Sequence, residues 1–456
     1  MPLPWLLATS YWLLRIMKRE KIIIMGAAGR DFHNFNLCYR DNPQYQVVAF
    51  TAAQIPNISP RIYPPLLAGR LYPRGIPILP EEELEGLIRR HKAGTVVLAY
   101  SDLAYSTVMG KSALVNSAGA DFLLLGPDRT MLRSRRPVVA VTAVRTGCGK
   151  SPTTRRVCQI LKEMGLHPVA VRHPMPYGDL KKQVCQRFKQ IRDLDLHGCT
   201  VEEREEFEPL IEMGVTLYAG VDYAKILREA EKEADVIVWD GGNNDFPFYL
   251  PDLHIVLVDP HRPGHEVSYY PGEVNLRRAH VVIISKVSTA RKTSIRQVER
   301  SIREKNPGAK VIYADLEITL DNPGMVRNKR VLVIEDGPTL THGGMPYGAG
   351  ILAARRYGAR IIDPRPYLTG SLRETFRKYP HLGKVLPTMG YGEEQLQELN
   401  HVVRNARCDA VISATPMDLC RILACTRPTL RVRYELKELG RPNLREALKR
   451  FFESNK

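Results

Sequence analysis

The chain has 456 residues, 44% of them hydrophobic and 25% charged, the balance of an ordinary soluble globular protein with room for two or three domains. A net charge of +17 points to nucleic acid, anionic lipid or small polyanionic substrates. The dispersed Lys and Arg, the missing recognition motif and an aromatic content of 7% set nucleic acid aside.

The first stretch, residues 1–18, is apolar from Trp5 to Leu14 and then basic at Arg15 and Lys18. It is too short to span a bilayer, and its charge follows the apolar run instead of preceding it as in a signal peptide. It reads as an extension or a misplaced start, with Met17 a plausible true start and no stable membrane association. Eight cysteines without a C-x-x-C pair argue against a zinc site or a disulfide framework and for reduced thiols in a cytoplasmic protein.

Residues 19–134 predict a Rossmann-like N-terminal domain. Strands at Lys21–Met25, Val47–Thr51, Thr95–Tyr100 and Phe122–Leu125 alternate with a helix at Glu81–His91. Gly26-Ala-Ala-Gly29 follows the first strand, where it can hold a dinucleotide or a phosphate or serve strand-to-helix packing. Ser101-Asp102 ends a strand where such sheets bind ligands, or caps a helix.

Residues 135–328 predict a P-loop NTPase domain with a mostly parallel sheet. The apolar strand Val138–Val144 runs into Arg145-Thr146-Gly147-Cys148-Gly149-Lys150-Ser151, and helical spacing continues from Thr153. Glycines let backbone N–H groups face phosphate oxygens, Lys150 can reach the β- and γ-phosphates, and the Ser151 hydroxyl can join a Mg²⁺ shell. Val144 stands where the motif's first glycine belongs, so the loop is closer to the subclass with a basic residue after its first position, here Arg145. The strand Pro168–Arg172 delivers Arg172 and His173 to the same crevice. Thr200 to Glu203 fits a capping box opening an acidic helix, expected as a solvated face.

The strand Ala234–Trp239 ends in Asp240-Gly241-Gly242, the acidic partner a P-loop needs for Mg²⁺, directly or through water. The strand Leu253–Val258 ends in Asp259, with His261, Arg262 and His265 close behind; substrate phosphate is a better match than metal, because Pro260 and Pro263 forbid a helix there. After Val281–Ile284, Ser285-Lys286-Val287-Ser288 occupies the place of a guanine-reading N-K-x-D motif. Both the Asn and the Asp are replaced by serine, so ATP is expected and GTP is possible.

Residues 329–456 predict a C-terminal α/β unit. Its first strand, Arg330–Ile334, leads into a glycine-rich loop carrying Thr339, Thr341, His342, Gly343 and Gly344, suited to a phosphorylated ligand.

Three stretches together resemble the cyclic 2,3-diphosphoglycerate synthetase family and its P-loop, GTPase-like relatives: Gly26–Asn34, Arg145–Ser151 and Glu335–Gly344. Trp239-Asp-Gly-Gly-Asn-Asn-Asp-Phe-Pro and Asp259-Pro-His-Arg-Pro-Gly-His look equally typical of it, while Ser285–Ser288 departs from the Asn-Lys-Val-Asp of relatives. The resemblance runs from about Lys21 to the C-terminus. It implies a Mg²⁺- and nucleotide-dependent synthetase that closes a phosphoanhydride between the phosphates of 2,3-bisphosphoglycerate.

On that reading Lys150, Arg145 and Asp240 are catalytic, and Ser151 and Asp240 hold Mg²⁺. Residues Thr146–Ser151, Thr153, Gly241, Gly242 and Lys286 bind the nucleotide. The substrate falls to Arg172, His173, His261, Arg262, His265, Thr339, Thr341, His342, Gly343 and Gly344. The expected partner is a phosphorylated small molecule, and a homodimer is possible. The alternatives are a P-loop switch driven by a protein partner, a kinase-like enzyme on another phosphorylated metabolite, and a nucleotide-binding scaffold without catalysis.

Overall fold

Runs of β-branched residues without charges become strands covered on both faces, and they set the architecture of this chain. The computed structural model describes residues 19–52, 61–173, 178–241, 245–341, 345–388 and 393–454, apart from the side chains of Pro338, Thr339 and Glu393. The fold is mixed α/β with mostly parallel sheets, as the sequence predicts.

The N-terminal sheet contains β1 (Glu20–Met25), β2 (Tyr45–Ala52), β3 (Arg61–Tyr63), β4 (Ile76–Pro80) and β5 (Thr95–Leu98). A two-residue strand, β6 (Leu103–Ala104), leaves this sheet, and β7 (Asp121–Leu124) completes it in the order β3-β4-β2-β1-β5-β7. All neighbours are parallel except β3 and β4.

The large sheet starts from β8 (Val138–Ala143), every residue of which is buried. It continues with β9 (Pro168–Arg172), β10 (Gln186–Phe188), β11 (Thr216–Ala219), β12 (Val236–Gly241) and β13 (Leu253–Val258). The short β14 (Tyr269–Tyr270) pairs antiparallel with β6 and ties the two sheets together. Next come β15 (Val281–Ile284), β16 (Lys310–Leu320), β17 (Arg330–Glu335), β18 (Arg360–Ile361), β19 (Leu386–Pro387), β20 (Ala410–Ala414) and β21 (Thr429–Glu438). The order is β10-β11-β9-β12-β8-β13-β15-β16-β21-β20-β17-β18, with β19 also on β17. The first half of β16 pairs parallel with β15, and Ala314–Leu320 pairs antiparallel with β21. One sheet therefore runs unbroken from the P-loop strand into the C-terminal unit.

Four helices frame the crevice: α1 (Arg30–Cys38), α2 (Lys150–Glu163), α3 (Val201–Glu212) and α4 (Ala349–Arg356). The capping box of α3 is present: the Thr200 hydroxyl accepts from the Glu203 N–H at 3.3 Å, and the Glu203 carboxylate accepts from the Thr200 N–H at 2.9 Å. The expectation that this acidic helix is a solvated face is corrected. Glu202, Glu203, Arg204, Glu205 and Glu208 are all buried, because Phe207, Leu210 and Ile211 draw the helix into the core. Partners elsewhere match some of its charges; Glu208, for example, accepts from the Asp418 N–H at 3.0 Å and pairs with Arg421 at 2.6 Å.

The reading of all cysteines as free thiols is also corrected. Cys420 and Cys425 form a disulfide, their Cα atoms 5.5 Å apart across a short turn. Among the described residues no helix is long and apolar enough to cross a membrane. Residues 1–18 lie outside the described residues.

Candidate functional site

A cavity of about 630 Å³ opens where β1, β8, β9 and β17 end, beside the middle of β16, and the P-loop lies on its wall. Gly147 and Gly149 take left-handed backbone angles, φ +82° and +99°, that a side chain would strain. They turn the chain from β8 into α2 and aim the helix N-terminus, with Lys150 and Ser151, at the cavity. The loop is braced from below. The Ser285 hydroxyl donates to the Cys148 carbonyl at 2.7 Å, and the Lys286 ammonium donates to the Gly147 carbonyl at 2.6 Å and to Asp259 at 2.9 Å. Arg262 donates to the Thr146 carbonyl at 2.7 Å and pairs with Asp259 at 3.2 Å.

Behind Lys150 lies a buried ionic knot. Asp240, 1% exposed, accepts from the Lys150 ammonium at 2.9 Å and the Thr154 hydroxyl at 2.6 Å, and pairs closely with Arg172. Arg172, also 1% exposed, holds Glu206 at 2.5 Å. Burial alone would push the Asp240 carboxyl up; Arg172 and Lys150 outweigh it and hold it below its ordinary range. Burial and the Arg172 charge push the Lys150 ammonium down.

Arg145 is fixed in place over the crevice. It donates to Asp102 at 2.6 Å, meets His265 Nδ1 at 2.7 Å, and lies 3.7 Å from the centre of the Tyr269 ring. Asp102 also accepts from the Thr146 hydroxyl at 2.9 Å. A strand-end carboxylate of the N-terminal sheet thus positions the P-loop's extra cation.

Two further groups of side chains complete the lining. From the N-terminal sheet come Ala28–Asp31 and Tyr100–Asp102, facing His173 and Asp245. A Cβ on Gly29 would lie 1.6 Å from His173 Nε2, so only glycine lets α1 start this close to β9. Asp31, whose carboxylate accepts from the Ala28 and Phe32 N–H groups, is pushed up to about 7 by burial. From α3 and the end of β17 come Glu202, Glu205, Glu206, Glu335 and Asp336. Burial raises Glu205 well above the ordinary range, with the Asp336 and Glu202 charges adding to it. Burial also takes Glu335 to about 7.

No protein-family model matches the chain. Arginine synthetase ArcE of Thermococcus kodakarensis is 61% identical over 432 residues, which cover 94% of this chain and 96% of that protein. The chain belongs to the arginine synthetase ArcE family. It is accordingly a synthetase by family. Among solved structures it is similar to LpxK from Aquifex aeolicus in complex with ATP, at 13% identity, 76% of this chain, 99% of that chain and a TM-score of 0.45. It is also similar to cobyrinic acid a,c-diamide synthase from Mycobacterium smegmatis with ADP and magnesium, at 19% identity, 40% of this chain, 74% of that chain and a TM-score of 0.19.

In this member of the arginine synthetase family, Arg145, Thr146, Gly147, Gly149, Lys150, Ser151, His173, His261 and Lys286 line one cavity. Cys148 and Thr153 are buried beneath the loop; burial takes the Cys148 thiol up to about 11, and the Thr153 hydroxyl donates to the Gly149 carbonyl. Arg172, Asp240, Gly241, Arg262 and His265 stand behind the lining, where the first two and Arg262 are bound to counter-charges. Thr341 is buried with its hydroxyl on the Gly337 carbonyl. Gly242, His342, Gly343, Gly344 and the Thr339 side chain lie outside the described residues.

Sequence reasoning missed Arg30, Asp31, Asp245 and the α3 carboxylates as lining. The 202/205/206 spacing, which puts three glutamates on adjoining helix positions, was the available signal. Among the described residues no cluster of three or more His, Cys, Asp or Glu is placed to hold a metal ion. For Mg²⁺ the fit is with Ser151 on the cavity wall; Asp240, held by Lys150, Thr154 and Arg172, would reach such an ion through water.

Proposed function

We propose that this protein is an ATP- and Mg²⁺-dependent synthetase whose product is arginine. The observation that carries the reading is the chemistry of the lining. A P-loop and five carboxyl groups from α3 and the end of β17 share one cavity. Carboxyl groups in a poorly solvated wall suit a guanidino or ammonium group, as hydrogen-bond acceptors or as counter-charges, and offer a second polyanion no counter-charge of their own.

Arginine's guanidino carbon bears only nitrogens. Its oxygen analogue is the ureido group of citrulline. Transfer of the γ-phosphoryl group of ATP to the ureido oxygen makes a leaving group and releases ADP. Ammonia then adds to the carbon and phosphate departs with the oxygen. The two protons that ammonia brings beyond the new C–N bond stay on the guanidinium, and one proton is released overall only when ammonium is the source. Lys150 and Arg145 are the cations suited to the γ-phosphoryl in transit. The carboxylate wall favours the guanidinium as it forms.

Closure of 2,3-bisphosphoglycerate is the competing reading from the sequence resemblance. It calls on Arg172 and Arg262 for the phosphates, but neither lines the cavity that Arg145 and Lys150 line. The test supplies Mg²⁺ with ATP or GTP and offers, separately, citrulline plus ammonium and 2,3-bisphosphoglycerate. Arginine formed in step with ADP is the expected result. Turnover stimulated by bisphosphoglycerate alone would overturn the reading in favour of the cyclase. Turnover indifferent to both would favour a partner-driven switch.

A further inference from the structure

Buried charges in a folded protein are hydrogen-bonded, and exceptions call for an explanation. Arg30 is 2% exposed, yet its Nε and Nη1 have no hydrogen-bond partner among the described residues. Asp245 is 6% exposed, and its Oδ1 has none either. The two face each other with Arg30 Nη1 3.9 Å from Asp245 Oδ1, too far for a hydrogen bond. Both line the cavity that holds the P-loop.

The rest of each side chain is tied down. Arg30 Nη2 donates to the Tyr270 hydroxyl at 3.1 Å, and its guanidinium lies 4.1 Å from the centre of the Phe246 ring. Asp245 also takes a hydrogen bond from Ser101. A rigid cation and a rigid anion therefore stand side by side, each with a donor or acceptor to spare, in a water-poor wall. That arrangement complements a zwitterion carrying its own anion and cation on one carbon.

We propose that Arg30 and Asp245 form a subsite for the α-amino-acid end of the substrate, Arg30 donating to the α-carboxylate and Asp245 accepting from the α-ammonium group. The proposal rests on the arginine reading of the same cavity. It puts the main-chain end of the amino acid against the N-terminal sheet and leaves its side chain free to extend toward Lys150 and Arg145.

The test is calorimetric titration of the full chain, with Mg²⁺ and ADP present, against arginine, agmatine (which lacks the α-carboxylate) and 5-guanidinopentanoate (which lacks the α-ammonium group). Wild type should bind arginine about tenfold to a hundredfold more tightly than agmatine, the worth of one charge-assisted hydrogen bond. Arg30→Met should erase that preference by weakening arginine alone, and retained agmatine binding would show that the variant is folded. Asp245→Asn should erase the preference over 5-guanidinopentanoate in the same way. Unchanged ratios would overturn the proposal. So would equal loss of arginine and agmatine in both Arg30→Met and the milder Arg30→Lys, which would assign Arg30 to the scaffold. A wild type that binds no guanidino compound would instead sink the arginine reading, and the subsite with it.

Discussion

Replacing Glu335 by glutamine should change how stability depends on pH. Glu335 ends β17, and its Oε1 accepts from the N–H groups of Gly348 at 3.1 Å and Ile351 at 2.9 Å. Burial nevertheless lifts its pKa from 4.5 to about 7. Between those values the folded protein holds a proton at this site that the unfolded chain has lost. Stability from this group is therefore complete below the unfolded pKa and is lost as pH rises through the folded one. The slope is about 1.4 kcal/mol per pH unit, for a total of about 3 kcal/mol. Glu335→Gln keeps the shape and the accepting oxygen but cannot ionise. Urea unfolding at pH 5, 6, 7 and 8 should show the two proteins nearly matched at pH 5. The variant's advantage should widen by about 2.5 kcal/mol by pH 8, contributions from other groups cancelling in the difference. A difference that stays constant across this range would refute the buried-proton account.

Lys150→Ala should lower Mg²⁺-dependent ADP release by about 10²- to 10³-fold, as removal of a charge-stabilising group at a transferring phosphoryl does; a loss under tenfold would contradict the role given to Lys150. Arg172→Met leaves Glu206 without its short ion pair and Asp240 with Lys150 as its remaining counter-charge, and should cost about 3–5 kcal/mol in a thermal or chemical melt. Gly29→Ala forces a methyl group into the His173 ring and should destabilise by about 1–3 kcal/mol, while adding His173→Ala should recover most of that loss. If the double variant melts no higher than Gly29→Ala alone, the contact is not the cause.

The parts of this molecule that follow from local chemistry are legible in its sequence. Val138–Ala143, Pro168–Arg172, Leu253–Val258 and Val281–Ile284 carry the apolar, β-branched signature of strands buried on both faces, and they are such strands. The Gly-Lys-Ser turn announces its helix. What depends on sequence-distant partners does not show. The acidic run after Thr200 looks solvated because its neutralising groups, Arg421 and the Asp418 N–H, lie more than two hundred residues away. Arg172 looks like a free cation for the same reason: Asp240 belongs to another strand end. Arg30 and Asp245 are 215 positions apart, and only the packing of α1 against the large sheet brings them together.

The two sheets are joined to the cavity in unequal ways. The C-terminal unit is welded to the P-loop half by the ladder of Ala314–Leu320 on Val432–Glu438. Sliding one past the other would break a row of backbone hydrogen bonds. The N-terminal sheet meets that body through the two-residue β6–β14 ribbon, the Leu132–Tyr249 bridge and side-chain contacts such as Arg145 with Asp102. The nucleotide half and the carboxylate wall thus behave as the jaws of a fixed vice, while the sheet carrying Arg30 is the piece mounted on the lighter joint. Across that seam the Arg145–Asp102 pair is the rivet that fastens the P-loop's extra cation to the N-terminal sheet.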